Sequence, residues 1–422
     1  MKRVPLHVQI LAAILLAVVV GTLSGTQGGI GDFKFVAIFG FVGDLFLRAL
    51  KMLVVPLVVS AVVTGVAGIG ATHGFGRLSL KTLGYYFTTT LLAVLMGLFM
   101  VNLIRPGEGG TVLNNLESIE AGQAQLAKME NRGWSDIANI FQRLVPENVI
   151  QSAADGDMLG LIFFSLIFGL CLSRIGIERR TSILNFFQGV NEIMLMMTHL
   201  VMRIAPIGVF ALVAKVFATT GLDVLRQVAL FFVTVLAGLA AHMFIALPLL
   251  MWIFGRVNPI WHFRAMAPAL MTAFSTASSA ATLPLTMECL EKRAGVSNRT
   301  TGFVLPLGTS INMDGTALYE CAAVLFIAQA YGLELSFATQ LSVVILALLT
   351  SIGVAGIPAA SLVAILIIMK AVGVPAEGLG LILAVDRILD MCRTSVNVFS
   401  DACGAVIIGR SEGETGILGK GE

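Results

Sequence analysis

Six apolar runs follow one another through the first part of the chain, at residues 6–24, 36–70, 82–104, 158–173, 187–216 and 223–254. A helix needs about 20 apolar residues to cross the hydrocarbon core of a bilayer. The runs therefore predict an all-α polytopic membrane protein, with the longer spans tilted or reaching past the membrane. Composition agrees: of 422 residues, 57% are hydrophobic and 12% charged, where a soluble domain carries about 25% charged residues. Such a surface cannot be solvated by water, so the lipid bilayer is its solvent. The formal net charge of +2 gives no reason to expect a nucleic-acid partner.

The first run follows Lys2 and Arg3 and imitates a signal peptide, but its length and the many later spans favour a retained first helix. Cys171, Cys289, Cys321, Cys392 and Cys403 show no CxxC spacing and read as small packing residues rather than metal or disulfide chemistry. With Lys2 and Arg3 inside, Arg77, Lys81, Arg174, Arg179, Arg180, Arg256, Arg264, Lys292, Arg293, Arg299 and Arg410 fall on the same side. Residues 105–157 are the longest polar stretch and are expected outside, as a loop flanked by interfacial helix. The compact loops favour a prokaryotic inner membrane, crossed several times.

Past residue 257 the apolar pattern breaks. Residues 272–284 read TAFSTASSAATLP and residues 350–360 read TSIGVAGIPAA; both are rich in small residues and contain proline. Paired interruptions in successive units are the mark of an inverted-repeat transporter. Irregular backbone at membrane depth survives only where it lines a cavity or binds something. Ordinary small-residue helix packing is the alternative.

Two polar groups lie inside this apolar sequence. Asn312-Met313-Asp314-Gly315-Thr316 interrupts one run, with Gly308 upstream. A carboxylate at the bilayer centre costs about 2.5–3.5 kcal/mol on insertion scales and needs a partner. The glycines favour an unwound turn whose carbonyls, with the Asp and Asn oxygens, suit sodium; a structural cluster pairing with another helix is the other reading. On the last helix, Asp390, Arg393, Thr394, Asn397 and Asp401 share one face. Arg393 can grip a carboxylate through two parallel hydrogen bonds, Asp390 can take an ammonium, and Asn397 with Asp401 can hold a cation. Asp390 and Arg393 can also simply pair with each other. Glu320, four residues after Thr316, is a candidate proton carrier or a structural hydrogen-bonding group. An embedded enzyme would need a nucleophile with a base, or a metal cluster. The histidines (7, 73, 199, 242 and 262) are dispersed, with no HExxH or GxSxG, so a carrier is expected rather than an enzyme.

SSAATLP (278–284), PLGTSINMDGTALYE (306–320), SIGVAGIP (351–358) and LDMCRTSVNVFSD (389–401) together resemble the glutamate/aspartate sodium symporters, the dicarboxylate/amino acid:cation symporter family. KMLVVPLVVSAVVTGVAG (51–68), LVPENV (144–149) and APIGVFAL (205–212) extend the likeness over nearly the whole chain. The resemblance implies eight transmembrane helices plus two re-entrant helical hairpins with inverted repeats, tips at 275–283 and 352–359. It implies a homotrimeric elevator-type transporter whose scaffold is mainly 1–70 and 130–220, and whose moving part is mainly 82–104 and 223–410. It implies substrate contacts from Ser279, Thr316, Ala355, Gly356, Asp390, Arg393, Thr394 and Asn397, and proton carriage by Glu320. Sodium ions, with no organic cofactor, would bind at three places. One uses Gly308, Asn312, Asn397 and Asp401. The second uses the backbone of Ser310, Met313, Ser351, Ile352 and Val354. The third uses Tyr86, Thr89, Thr90, Asn312 and Asp314. Some members carry an arginine at the first hairpin tip or just after the residue matching Asp390; here these are Ala277 and Met391, and the nearest counterpart is Arg387. The expected function is sodium-coupled uptake of an acidic amino-acid substrate, L-glutamate or L-aspartate, with proton co-transport. A C4-dicarboxylate carrier on the same fold, which would not need Asp390 as an ammonium partner, is the alternative.

Overall fold

The computed structural model describes residues 6–30, 33–69, 76–108, 145–155, 158–220, 224–353 and 360–418. In lipid every backbone polar group must be satisfied within the segment, which makes helix the default for such apolar sequence. The chain runs through α1 (Leu6–Ser24), a two-residue antiparallel pair β1 (Gly29–Ile30) and β2 (Phe33–Lys34), α2 (Phe35–Ile69), α3 (Gly76–Ile104) and α4 (Val149–Asp155). It continues with α5 (Met158–Leu172), α6 (Ile177–Arg203), α7 (Ala205–Thr220) and α8 (Val224–Gly255). The last part comprises α9 (Pro259–Thr276), α10 (Ser279–Glu288), α11 (Asn298–Ile311), α12 (Asp314–Ala330), α13 (Phe337–Gly353), α14 (Ala360–Ala371) and α15 (Leu379–Ser411). Among the described residues, Phe35–Thr64, Arg77–Ile104, Val224–Gly255 and Asn298–Ala330 are long and apolar enough to cross a membrane.

The apolar run at 187–216 is not one span. α6 stops at Arg203 and α7 starts at Ala205; Pro206 lacks the N–H that a continuous helix would use and fits the first turn of a new one. Of the predicted polar loop, the structure describes the turn after α3 and helix α4, while 109–144 lie outside the described residues.

α8 is interrupted by two π-helical turns, His242–Ala246 and Met251–Gly255, around a short α-helical stretch that contains Pro248. A π turn absorbs the hydrogen bond and space that a mid-helix proline disrupts, and the first one carries His242. α9 ends on Ala277 in the left-handed region at φ 48°. Ser278 then caps α10 by accepting from the Ala281 amide at 3.2 Å. The two helices pack on each other, forming a helical hairpin with its tip at Ala277–Ser278. Of the other expected tip, 352–359, Ile352 and Gly353 end α13 and 354–359 lie outside the described residues; α13 and α14 flank it and pack together. Between α11 and α12 the helix opens at Asn312 (φ −97°, ψ 88°) and Met313 (φ −115°, ψ 54°).

Two packing groups emerge. α1 lies against α7, and α2 against α5, α6 and α7. α3 lies against α8 and α12, while α15 is enclosed by α8, α9, α11 and α12. Apolar side chains such as Phe41, Phe99, Met196, Phe244 and Trp252 remain exposed, as expected of a lipid-facing surface.

A polar clasp closes the end of the second group that the charge pattern places inside. Lys81 Nζ donates to the Ser411 carbonyl at 2.9 Å and pairs with Glu412. Glu414 accepts from the Ser297 amide and from the hydroxyls of Ser297 and Thr300 at the start of α11. The Leu418 amide donates to the Ala294 carbonyl at 2.9 Å. The hydrogen bond from Lys81 holds the Glu412 carboxyl below its ordinary range. Burial pushes the Glu414 carboxyl up, but the Ser297 and Thr300 donors outweigh it and hold the group low.

Candidate functional site

The broken helix and the polar face of α15 meet in the middle of the second packing group. Asn397 joins them: its Oδ1 accepts from the Gly315 amide at 2.8 Å, and its Nδ2 donates to Thr316 Oγ1 at 3.2 Å and lies 3.2 Å from Met313 Sδ. Glycine is required at 315, because a Cβ there would stand 2.7 Å from the Arg393 carbonyl oxygen. The α12–α15 crossing is therefore backbone-close, and the unwound turn faces α15.

Below this crossing lies a group of buried oxygens. Asp314 Oδ1 accepts from Thr90 Oγ1 at 2.8 Å; its Oδ2 accepts from Ser400 Oγ at 2.6 Å and lies 2.9 Å from His242 Nε2. Asn312 bridges outward, with Oδ1 3.3 Å from Thr89 Oγ1 and 3.4 Å from Thr90 Oγ1, and Nδ2 donating to Ser400 Oγ at 3.0 Å and Asp401 Oδ1 at 2.9 Å. A Cβ on Gly308 would stand 2.3 Å from Asp401 Oδ1 and 2.7 Å from the Tyr86 hydroxyl, so only glycine lets α11 come this close. Tyr86 itself donates to the Val304 carbonyl at 2.6 Å.

Asp314 and Asp401 are 0% and 2% exposed. Among the described residues neither forms an ion pair with lysine or arginine, and only His242 offers Asp314 a group that can be cationic. Burying a carboxylate without a partner is costly, so two of them call for a countercharge. Carboxylate, amide, hydroxyl and carbonyl oxygens are hard ligands, and the close approach at Gly308 brings the backbone of α11 beside Asp401. The set fits a small monovalent cation as cargo. No group of three His, Cys, Asp or Glu is gathered among the described residues, unlike the ligand sets of structural zinc sites.

Higher on α15 is a charge cluster. Arg393 is 1% exposed, and its Nη2 donates to Asp390 Oδ1 at 3.1 Å and Asp386 Oδ1 at 3.2 Å. Its Nη1 donates to Ser361 Oγ at 3.2 Å, and its guanidinium carbon lies 3.9 Å from the centre of the Tyr319 ring. The Arg393 Nε is buried and has no partner among the described residues. The pairing of Asp390 with Arg393 is therefore present, and one edge of the guanidinium still has donor capacity for a ligand carboxylate. Arg387 Nη1 donates to Asp390 Oδ2 at 3.1 Å.

The structure gathers part of the expected set. Asp390 and Arg393 are paired with each other, Asn397 is joined to Thr316 and Met313, and Thr89, Thr90, Asn312, Asp314 and Asp401 form one hydrogen-bonded group. Thr394 Oγ1 donates to the Asp390 carbonyl, so it is bonded to its own helix. Ser279 is buried at the start of α10, and no hydrogen bond among the described residues joins it to α15. Glu320 is fully buried: Oε2 accepts from Thr350 Oγ1 at 2.8 Å and Oε1 has no partner among the described residues. Ser351 Oγ bonds back to the Leu348 carbonyl. Ser310 and Ile352 lie in the last turns of α11 and α13. Val354, Ala355 and Gly356 lie outside the described residues. Sequence reasoning missed Asp386, Ser400, Tyr319, Ser361, Thr350 and His242.

Comparison with known proteins matches residues 6–411 to the sodium:dicarboxylate symporter family. The chain belongs to this family. It is 36% identical over 414 residues to the proton/sodium-glutamate symport protein of Bacillus caldotenax, covering 98% of this chain and 96% of that protein. It is 36% identical over 415 residues to the proton/glutamate-aspartate symporter of Escherichia coli (strain K12), covering 96% and 92%. Excitatory amino acid transporter 3 of Mus musculus is 35% identical over 448 residues, covering 94% and 83%. As a member of the sodium:dicarboxylate symporter family, the chain is a multi-pass membrane protein, which agrees with its apolar helices. The family match spans both packing groups, the unwound turn and all of α15.

Proposed function

We propose that this chain is a secondary active symporter that couples uptake of L-glutamate or L-aspartate to sodium, with proton co-transport through Glu320. The observation that carries the reading is Arg393: a fully buried guanidinium held over Tyr319, its Nε without a partner among the described residues, next to Asp390. Arg393 holds the side-chain carboxylate of the substrate, Asp390 with Thr394 its ammonium, and Asn397 its α-carboxylate. Ser279, Thr316 and the backbone of Ala355 and Gly356 complete the pocket. The paired carboxylates around Asn312 support sodium as cargo. One sodium uses the carbonyls of Gly308 and Asn312 with Asn397 and Asp401. The second uses Ser310, Met313, Ser351, Ile352 and Val354, and the third uses Tyr86, Thr89, Thr90, Asn312 and Asp314. Sodium and glutamate in the names of similar proteins point the same way.

The finer architecture belongs to the same proposal. Eight helices and two re-entrant hairpins span the membrane of a prokaryotic cell, and three copies assemble. The α1, α2 and α5–α7 group forms the scaffold, and the α3 and α8–α15 group is the part that moves. The closer packing within each group than between them supports this division, with α7 against α15 and α2 against α13 at the seam. The chemistry is carriage rather than catalysis.

A second reading, carriage of a C4-dicarboxylate, is favoured by one observation: both Asp390 oxygens are bonded to arginine. The test is uptake of labelled L-aspartate, L-glutamate and succinate into proteoliposomes under an inward sodium gradient, a proton gradient, both, or neither. Sodium-driven uptake of the amino acids, increased further by the proton gradient, is expected. Succinate uptake without amino-acid uptake would establish the second reading, and uptake driven by protons alone would remove the sodium sites.

A further inference from the structure

The charge cluster on α15 contains one guanidinium that the acidic amino-acid reading leaves without a role. Both oxygens of Asp390, the carboxylate assigned to a substrate ammonium, are already bonded. Oδ1 takes Arg393 Nη2 and Oδ2 takes Arg387 Nη1, each at 3.1 Å. The two arginines are held very differently. Arg393 is 1% exposed and fixed by Asp386, Asp390, Ser361 and the Tyr319 ring. Arg387 is 27% exposed. Among the described residues its side chain has Asp390 as its one hydrogen-bond partner, and its Nε has none.

A long arginine stem can carry its head group into water while its methylenes stay packed. Arg387 can therefore leave, and Arg393 cannot leave without stranding two carboxylates. An arriving ammonium supplies what Arg387 supplies to Oδ2, a positive charge and an N–H donor, so the exchange keeps Asp390 neutralised throughout. A dicarboxylate without an amine has nothing to offer Oδ2 and leaves Arg387 in place.

We propose that Arg387 is a specificity-determining residue: it occupies the ammonium position on Asp390 in the empty protein and yields it to the amine of the substrate. This rests on the reading of Asp390 as the ammonium partner. While Arg387 holds Oδ2, the amine gains only the difference between its own bond and the one it displaces. The protein therefore distinguishes an amino acid from its deaminated analogue less sharply than Asp390 alone would. Without Arg387, Oδ2 is left to water, the amine gains a charged hydrogen bond with no displacement, and a ligand lacking the amine brings its negative charge to an under-compensated carboxylate.

The experiment is competition binding on the full chain in detergent with saturating sodium. It compares L-aspartate with succinate in the wild type, Arg387→Ala and Arg387→Lys. Both ligands carry two carboxylates, so a general loss of positive potential weakens both and largely cancels in the ratio of their Kd values. Arg387→Ala is expected to raise Kd(succinate)/Kd(aspartate) about tenfold, the scale of one charge-assisted hydrogen bond. Arg387→Lys should stay near the wild-type ratio. A wild type that prefers aspartate, with an unchanged or lowered ratio in Arg387→Ala, overturns this proposal alone. A wild type that binds succinate and not aspartate overturns the amino-acid reading and this proposal with it.

Discussion

Gly308 offers the sharpest test of the oxygen cluster, because a single methyl group is enough to disturb it. A Cβ at this position would sit 2.3 Å from Asp401 Oδ1, 2.6 Å from Asp401 Cγ and 2.7 Å from the Tyr86 hydroxyl. None of these atoms is free to retreat: Asp401 is held by Asn312 and Tyr86 by the Val304 carbonyl. Overpacking of this kind costs about 1–3 kcal/mol, against a gain of about 0.5–1 kcal/mol from replacing glycine by alanine in a helix. If the clash falls on the cation-binding geometry, each 1.4 kcal/mol is about tenfold in affinity. Gly308→Ala should then weaken apparent sodium affinity roughly five- to hundredfold. Gly302, on the same helix, has nothing among the described residues within 4 Å of its Cβ position, so Gly302→Ala supplies the helix gain without the clash and should leave sodium dependence as it is. The assay is sodium-dependent thermal stabilisation of the purified protein, read alongside uptake. Equal sodium dependence in Gly308→Ala and wild type would refute the assignment of cation binding to the Gly308–Asp401 contact.

Arg393→Lys keeps the charge but loses the planar fork and the stacking on Tyr319. Acidic amino-acid uptake should fall at least tenfold, and uptake within twofold of wild type would count against carboxylate recognition there. Glu320→Gln preserves shape and the Thr350 contact while deleting ionisation; uptake should lose its dependence on external pH, and a retained pH profile would argue for another proton carrier. Because the folded-state pKa of Glu414 is lowered, its contribution to stability is present above the unfolded value of about 4.3 and is lost as pH falls through the folded one. Protection of the Ser297 and Leu418 amides, taken relative to the free-peptide rate at each pH, should therefore be high at neutral pH and be lost as pH falls through the folded-state value of Glu414. In Glu414→Gln protection should be low throughout, and a wild-type protection that does not change with pH would dissociate Glu414 from the clasp.

Much of this architecture was legible because its signals are local. The unwound turn at Asn312–Met313 lies in a short motif between two glycines, and the polar face of α15 follows from helical spacing. Asp386 could have been found the same way. It lies seven residues before Arg393, hence on the same face, one turn ahead of Asp390. Ser400 obeys the same spacing, seven residues after Arg393, and its hydroxyl reaches Asp314. His242 had no sequence signal, since a lone histidine in an apolar helix is indistinguishable from a packing residue. Its partner, Asp314, is 72 residues away in sequence and in direct contact at 2.9 Å. The division of 187–216 was signalled by Pro206, but apolar content ran through it and concealed the break.

The clasp has a consequence for the order in which the protein can be completed. Lys81 stands 330 residues before Ser411, whose carbonyl it binds. At about 5–20 residues per second of synthesis, the base of α3 waits roughly 17 to 66 seconds for that partner. Ser297 and Thr300 wait on Glu414 over a separation of more than a hundred residues. The pairings of α1 with α7 and of α2 with α5, α6 and α7 are made within residues 6–220, so they can form while the other group is still emerging. A ribosome that stalls before residue 411 would leave a membrane-inserted half whose inner face has not yet been tied shut.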